Sequence, residues 1–267
     1  MDEWLQDTVI NGKPMDVGYD TVRWTRTRLA ELLNQEVGVA VAGSTVSVHV
    51  KNLDLSYPPP TYRPSAQDPQ EVEYFLNETF PRLQRLAEKL KADSGVEEEA
   101  GINLQTQAGK TWGRVGQPPE IRVTGQRGGY PTLSMVTAPG VMRFSVTDEK
   151  INSQKYIDFL KQLRQGRTRP LILIVDRVSF HSSKPVRDFV RSNRQKIRVF
   201  FLPRYSPELN PDEQLWNEIK SRKIGRKSIK TKLELKKKIY SALRSLQHNV
   251  EKIKSFFRLP DTKYALV

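Results

Sequence analysis

Leu202-Pro-Arg-Tyr-Ser-Pro-Glu-Leu-Asn-Pro-Asp-Glu-Gln-Leu-Trp216 is the stretch on which the fold turns. Its prolines keep the approach extended. Asn210 is a good N-cap, Pro211 suits the first helical position, and Glu213 falls in the first turn. Upstream, the apolar run Leu171-Ile-Leu-Ile-Val175 reads as a buried parallel strand that delivers Asp176 at its end. Ligands bind at the carboxyl ends of such strands. Two carboxylates on elements able to pack side by side are part of the donor set that metal-assisted phosphodiester cleavage requires. Each also has a purely local reading. Glu213 could reach back to Asn210 as a capping-box glutamate, and Asp176 could be a turn aspartate. A complete site needs a third anionic ligand, expected on the first strand of the sheet.

Around these landmarks the pattern alternates. Residues 121–124, 132–137 and 141–146 read as strands with Gly-rich turns between them. Residues 153–165 read as a helix with Tyr156, Phe159, Leu160 and Leu163 inward. A helix over 183–195 and a strand over 197–202 follow. This order implies an α/β layer with a mixed sheet. Before it, residues 69–91 read as a helix and residues 56–70 as a Pro-rich, stiff linker. Residues 21–55 read as a helix-turn-helix. Thr25 caps its first helix, a small-residue bend runs from Val37 to Gly43, and Ser44 caps its second helix. The second helix of such a motif enters the major groove, and Thr45, Ser47, His49 and Lys51 are its expected outward positions. A helix pair that merely packs or dimerises fits the same pattern.

Composition narrows the chemistry. The chain has 267 residues, no cysteine and three histidines, His49, His181 and His248. Disulfides and Cys-based zinc sites are excluded, and a His-rich zinc site is disfavoured. Any metal is then a hard ion on carboxylates, Mg²⁺ or Mn²⁺. No apolar run approaches the roughly 20 residues of a membrane helix, and the N-terminus lacks a basic-then-apolar signal pattern. The net charge of +14 is uneven. Residues 1–70 hold six Lys/Arg against nine Asp/Glu, whereas residues 220–267 hold fifteen against three. A basic block of this kind usually faces phosphates. Arg222, Lys223, Arg226, Lys227, Lys236, Lys237 and Lys238 are expected to grip a nucleic-acid backbone without reading sequence. Leu233, Ile239, Leu243 and Leu246 are the expected buried face of that helix.

These residues carry a resemblance. Leu173-Ile-Val-Asp176 with His181, and Phe201 to Glu213 with Trp216 and Lys220, resemble a DDE transposase of the bacterial insertion-sequence group related to the mariner elements. Gly109-Lys-Thr-Trp112, Gly116-Gln-Pro-Pro119 and Arg23-Trp-Thr25 match as well. The resemblance implies an RNase H-like mixed sheet flanked by helices, preceded by an all-α, winged-helix-like region. The expected layout is a helix-turn-helix over 1–55, a linker over 56–70 and a catalytic domain over 71–267. The implied activity is Mg²⁺-dependent (or Mn²⁺-dependent) cleavage and strand transfer at the ends of a mobile element, with two ions. The implied partners are double-stranded DNA, as terminal inverted repeats and target, and a second copy of the chain. A cytoplasmic, nucleoid-associated location in a bacterial or archaeal cell goes with this. His181, five residues past Asp176, is expected as a satisfied structural histidine, with DNA contact or fixing of the loop as its functional alternatives.

Two departures from the family pattern shape the expectations. The family's first aspartate sits in an Asp-Glu-Ala-Gly string. Counting back from Gly109 reaches Glu98-Glu99-Ala100-Gly101, so Glu98 takes its place beside Asp176 and Glu213 as catalytic and metal ligand. The residues ahead of it, Asp93-Ser-Gly-Val-Glu97, are poor strand material, and Asp93 is a stand-in five positions earlier. Relatives also carry another helical unit ahead of Met1, which suggests an N-terminally truncated chain. A non-catalytic DNA-binding derivative of a transposase, a cellular nuclease of RNase H type and a pure assembly module are the alternatives, and the C-terminal charge argues against the last.

Overall fold

The computed structural model describes residues 1–57, 64–104, 120, 128–224 and 229–266. The chain divides into two compact units, Met1–Tyr62 and Arg63–Val267.

The first unit is helical, with α1 (Asp2–Ile10), α2 (Arg26–Val37) and α3 (Gly43–Asn52). The Thr25 side chain caps α2 by accepting from the Arg28 amide, and Gly38 ends it in the left-handed region. The cap of α3 is Ala42 rather than the expected Ser44. The helix begins two positions earlier than expected, at Gly43, which lies against Arg26 where a side chain would crowd. Leu5, Leu29 and Val46 form the core, with Trp4, Trp24, Val50 and Leu53 packed on it. Helix α1 was not evident in the sequence; Leu5 is its only buried residue. Among the described residues of this unit there is no strand to form a wing.

The second unit is built on a five-stranded sheet of order β3-β2-β1-β4-β5. Its strands are β1 (Asp93–Asn103), β2 (Gly129–Val136), β3 (Met142–Val146), β4 (Leu171–Val175) and β5 (Ile197–Phe201). β1, β2 and β3 pair antiparallel, while β1–β4 and β4–β5 are parallel. The expected strand at 121–124 lies outside the described residues, as do the matching segments at 109–112 and 116–119.

Residues 93–97 correct the sequence reading, because they are the start of the central strand. Each unfavourable residue there has a compensation. Asp93 pairs with Arg167 at 2.7 Å and Arg169 at 3.3 Å. Gly95 leaves room for Met135 of β2. Glu97 meets His181. Tertiary pairing overrides the weak local propensity.

Side chains alternate across the sheet. One face packs Leu133, Met135, Leu171, Leu173 and Val175 against α6 (Ser153–Arg164) and α7 (Lys184–Ser192). On the other, Val96, Ala100, Ile102 and Ile174 meet α8 (Pro211–Glu218), α9 (Lys232–Gln247) and α10 (Val250–Phe256). The helix read over 69–91 is two segments, α4 (Pro69–Tyr74) and α5 (Phe80–Leu90), joined by a π turn at Phe75–Thr79. Pro81 has no amide hydrogen for the regular ladder, which accounts for the widened turn before it. In α9 the buried face is Leu235, Ile239, Leu243 and Leu246. Leu233, expected on that face, is 63% exposed instead, because it sits on the solvent side of the first turn after the Thr231 cap.

Candidate active site

β1 and β4 run parallel in the register Asp93↔Leu171 to Val96↔Ile174. Carried two residues further, the same register sets Glu98 level with Asp176. Alternation then sends neighbouring glutamates to opposite faces: Glu98 to the α8 side and Glu97 to the α6–α7 side. α8 begins at Pro211, and Glu213 lies in its first turn. The structure thus brings Glu98, Asp176 and Glu213 to one end of the sheet. Asp93 lies at the start of β1, paired with two arginines, and is no part of this group.

Asn210 fastens the two sides together. Its Nδ2 donates to Glu98 Oε2 at 2.6 Å and to the Glu97 carbonyl at 3.1 Å. Its Oδ1 accepts from the Asp212 amide at 2.9 Å, capping α8. No side-chain hydrogen bond to Glu213 occurs among the described residues, so it does not close a capping box. Asp212 is fully buried and accepts from Ser134 Oγ at 2.7 Å.

The electrostatics are those of a crowded anion cluster. Burial, then the charges of Asp176, Glu213, Glu97 and Asp212, push the Glu98 carboxyl up to about 9. Burial also raises Glu213, and Lys220 opposes that shift. Burial raises Asp212 strongly. The positive end of the α8 dipole faces this group. The donors are all carboxyl oxygens, hard donors that suit Mg²⁺ or Mn²⁺. As they stand, no three His, Cys, Asp or Glu side chains among the described residues converge closely enough to enclose an ion.

Behind Asp176 lies a group that the sequence did not reveal. His181 Nδ1 is 2.9 Å from Asp176 Oδ1, and Nε2 is 3.2 Å from Glu97 Oε2. Burial opposes charge on this ring, but the two carboxylates outweigh it and push its pKa up to about 10. The spacing of His181 from Asp176 marked it as a loop residue. Glu97 carried no signal beyond membership of an acidic run. A cavity of about 820 Å³ opens at the opposite end of the sheet, lined by Asp93, Ser94, Ile172 and Phe257 among others; none of the three carboxylates lines it.

The expected DNA-facing positions fall out unevenly. On α3, Thr45, Ser47 and His49 are half-buried, and only Lys51 is exposed. Ser47 donates to the Gly43 carbonyl, and His49 lies 2.7 Å from Asp2 of α1. The exposed positions are Ser44, Val48, Lys51 and Asn52. The earlier set steps by two, as a strand does, whereas a helix face recurs every three or four residues. Among the C-terminal cations, Arg222 pairs with Glu218, Lys236 with Asp148 and Lys238 with Glu234. Lys223 donates to Ser245 Oγ, and Lys237 is exposed. Arg226 and Lys227 lie outside the described residues. Among the described residues no helix is long and apolar enough to cross a membrane.

Comparison with known proteins is consistent with this geometry. Residues 20–79 match the winged helix-turn helix family. An uncharacterized 39 kDa protein of insertion element IS630 from Shigella sonnei is 27% identical over 218 residues, covering 79% of this chain. The chain spans 61% of the length of that relative. The Mos1 transposase paired-end complex with left transposon end superposes with a TM-score of 0.65 at 17% identity, over 99% of this chain and 79% of that one. The mariner Mos1 paired end complex with Mg gives 0.64 at 18% identity, with the same coverage; that with Mn gives 0.64. At such identities the likeness is one of fold. Residues 97–236, more than half of the chain and the segment that holds Glu98, Asp176 and Glu213, match the DDE superfamily endonuclease family, and the chain belongs to it.

Proposed function

We propose that this chain is a transposase-type DNA endonuclease and strand transferase, acting on the ends of a mobile element through Glu98, Asp176 and Glu213. The observation that carries the reading is the cluster itself. Three carboxylates from β1, β4 and α8 lie at one end of the sheet, and burial, together with their repulsion, lifts Glu98 to about 9. A divalent cation relieves that repulsion, and the all-oxygen donor set fits Mg²⁺ or Mn²⁺, with two ions as the working number. When bound, such ions supply an acidified nucleophile and neutralise charge on the leaving oxygen.

The chain's own residues do the rest. Asn210 orients Glu98 and fixes the start of α8. Pro211 and the α8 dipole present Glu213 toward the cluster. The exposed face of α3 and the basic C-terminal helices bind double-stranded DNA, the first reading element ends and the second gripping phosphates. The working form is a homodimer acting on chromosomal DNA in the cytoplasm. The units serving these roles are residues 1–55 and 71–267, joined by the linker over 56–70.

One observation favours a second reading, a DNA-binding derivative with little cleavage. Glu98 is a methylene longer than aspartate, and the carboxylates do not enclose an ion as they stand. A displacement of that size, on the order of 1 Å, costs about 10²-fold in rate. The test is metal-dependent nicking of element-end DNA by the natural chain and by Glu98→Asp. The transferase reading expects weak Mg²⁺-dependent nicking that Glu98→Asp raises. Equal and robust activity in both removes the idea that Glu98 is a damaged ligand. End-binding in EDTA with no cleavage by either protein selects the derivative, and cutting of RNA–DNA hybrids without element ends selects an RNase H-type nuclease.

A further inference from the structure

The side of Asp176 that faces away from Glu98 is held by two buried residues with no part in the scheme above. Glu97 and His181 both have fully buried side chains. The imidazole is wedged between Tyr156 and Phe180, each with its centroid 4.4 Å away. His181 Nδ1 faces two oxygens of one residue, Asp176 Oδ1 at 2.9 Å and the Asp176 carbonyl at 3.1 Å. Both are acceptors, so Nδ1 carries a hydrogen and donates. The hydrogen bond goes to the carbonyl, and Oδ1 accepts its hydrogen bond from the Val178 amide at 3.2 Å. One carboxylate oxygen thus accepts from the Val178 amide and lies within ion-pair distance of the imidazole, while the Asp176 side chain keeps 35% of its surface open.

We infer that Glu97 and His181 form a positioning relay for Asp176. Glu97 sets the imidazole from the Nε2 side, and the imidazole sets the Asp176 carboxylate so that its other oxygen is presented to a divalent cation shared with Glu98 and Glu213. The inference rests on the metal-dependent reading above. Neither residue is a catalytic residue; each acts through Asp176. A buried ion pair contributes little net stability compared with apolar side chains of the same size. Its consequence here is geometric: it links the central strand to the carboxylate at the end of the next. Partners of this outer kind typically change metal affinity by about 10–100-fold when removed.

The test is Mn²⁺ binding by the purified full chain, read by electron paramagnetic resonance, with unfolding temperature measured on the same samples. The natural chain is expected to bind Mn²⁺ and Asp176→Asn to lose that binding. If the natural chain does not bind, or Asp176→Asn binds equally well, the metal reading itself fails and the relay falls with it. With that control met, His181→Ala is expected to weaken Mn²⁺ binding by about 10–100-fold. His181→Asn is expected to recover most of the loss, because its amide nitrogen reaches the place of Nδ1. Natural Mn²⁺ affinity in folded His181→Ala, whether or not its unfolding temperature drops, assigns the histidine to the core and overturns the relay. Should His181→Ala fail to fold, Glu97→Gln decides. It keeps the side-chain shape and is expected to weaken Mn²⁺ binding, and unchanged affinity there overturns the proposal.

Discussion

Asn210 Nδ2 donates to Glu98 Oε2 at 2.6 Å, joining the central strand to the helix that carries Glu213. Because Asn210 is 1% exposed and also caps α8, its replacement has two separable effects. Asn210→Ala removes the cap and leaves Glu98 without that donor, with an expected loss of about 1–3 kcal/mol in chemical denaturation. Asn210→Asp keeps the cap but adds a fifth carboxyl to the four already acting on Glu98. At ordinary helix starts Asn and Asp are nearly equivalent. Here Asn210→Asp is expected to be markedly less stable at pH 8 than at pH 5 in EDTA. Natural-like stability of that variant at pH 8 contradicts the bracket.

The raised pKa of Glu98 makes the metal-free protein sensitive to pH. Its folded value, about 9, lies above its unfolded value near 4.5. Between the two the folded state keeps a proton that the unfolded state has released, so stability falls as pH rises. The contribution is complete below pH 4.5 and lost by pH 9. Glu98→Gln removes the titration while keeping an acceptor for Asn210. In EDTA the variant should therefore unfold at a higher temperature than the natural chain at pH 8.5, and show no such gain at pH 4. Each kcal/mol is worth roughly 2–4 °C for a chain of this size. Mg²⁺ should reverse the order by stabilising the natural chain more. A pH-independent difference between the two proteins refutes the clustered-carboxylate electrostatics.

Much of this was legible in the sequence for a physical reason. Leu171–Val175 is fully buried on both faces, so it reads as strand from hydrophobicity alone, and Asp176 follows as its terminus. Asn210-Pro211 announces a helix start through local cap chemistry, and Glu213 comes with it. β1 was hard to read because its stabilisation is entirely non-local. Asp93 depends on Arg167, Gly95 on Met135, Glu97 on His181 and Glu98 on Asn210, at sequence separations that no window spans. The outward face of α3 was misread for a different reason. His49 turns inward toward Asp2 of α1, a helix whose single buried residue gave no periodic signal.

Gly95 offers a stability test of the central strand free of charge effects. A methyl group there would collide with the Met135 sulfur and crowd the Val136 carbonyl, and Met135 is fully buried. Gly95→Ala is expected to lose about 1–3 kcal/mol through overpacking, despite alanine's lower conformational entropy when unfolded. Combining it with Met135→Ala should make the pair less damaging than the sum of the single changes, read as a coupling energy in a double-mutant cycle. Strict additivity would show that the two side chains do not compete for one space.

The DNA-facing assignments are separable by salt dependence. Each phosphate contact contributes roughly 0.9 to the slope of log affinity against log salt on duplex DNA. Lys51 and Lys237 are exposed, whereas Lys236 is 2.6 Å from Asp148 and His49 is 2.7 Å from Asp2. Lys51→Ala and Lys237→Ala are each expected to weaken binding and flatten the slope by about 1, with unfolding unchanged. His49→Ala and Lys236→Ala are expected instead to lower the unfolding temperature with a smaller change in slope, because their partners lie within the protein. Fluorescence anisotropy on element-end DNA across a salt series reads both. If Lys236→Ala flattens the slope as much as Lys237→Ala while stability is untouched, the Lys236–Asp148 pair opens on DNA and the whole helix face is the contact surface.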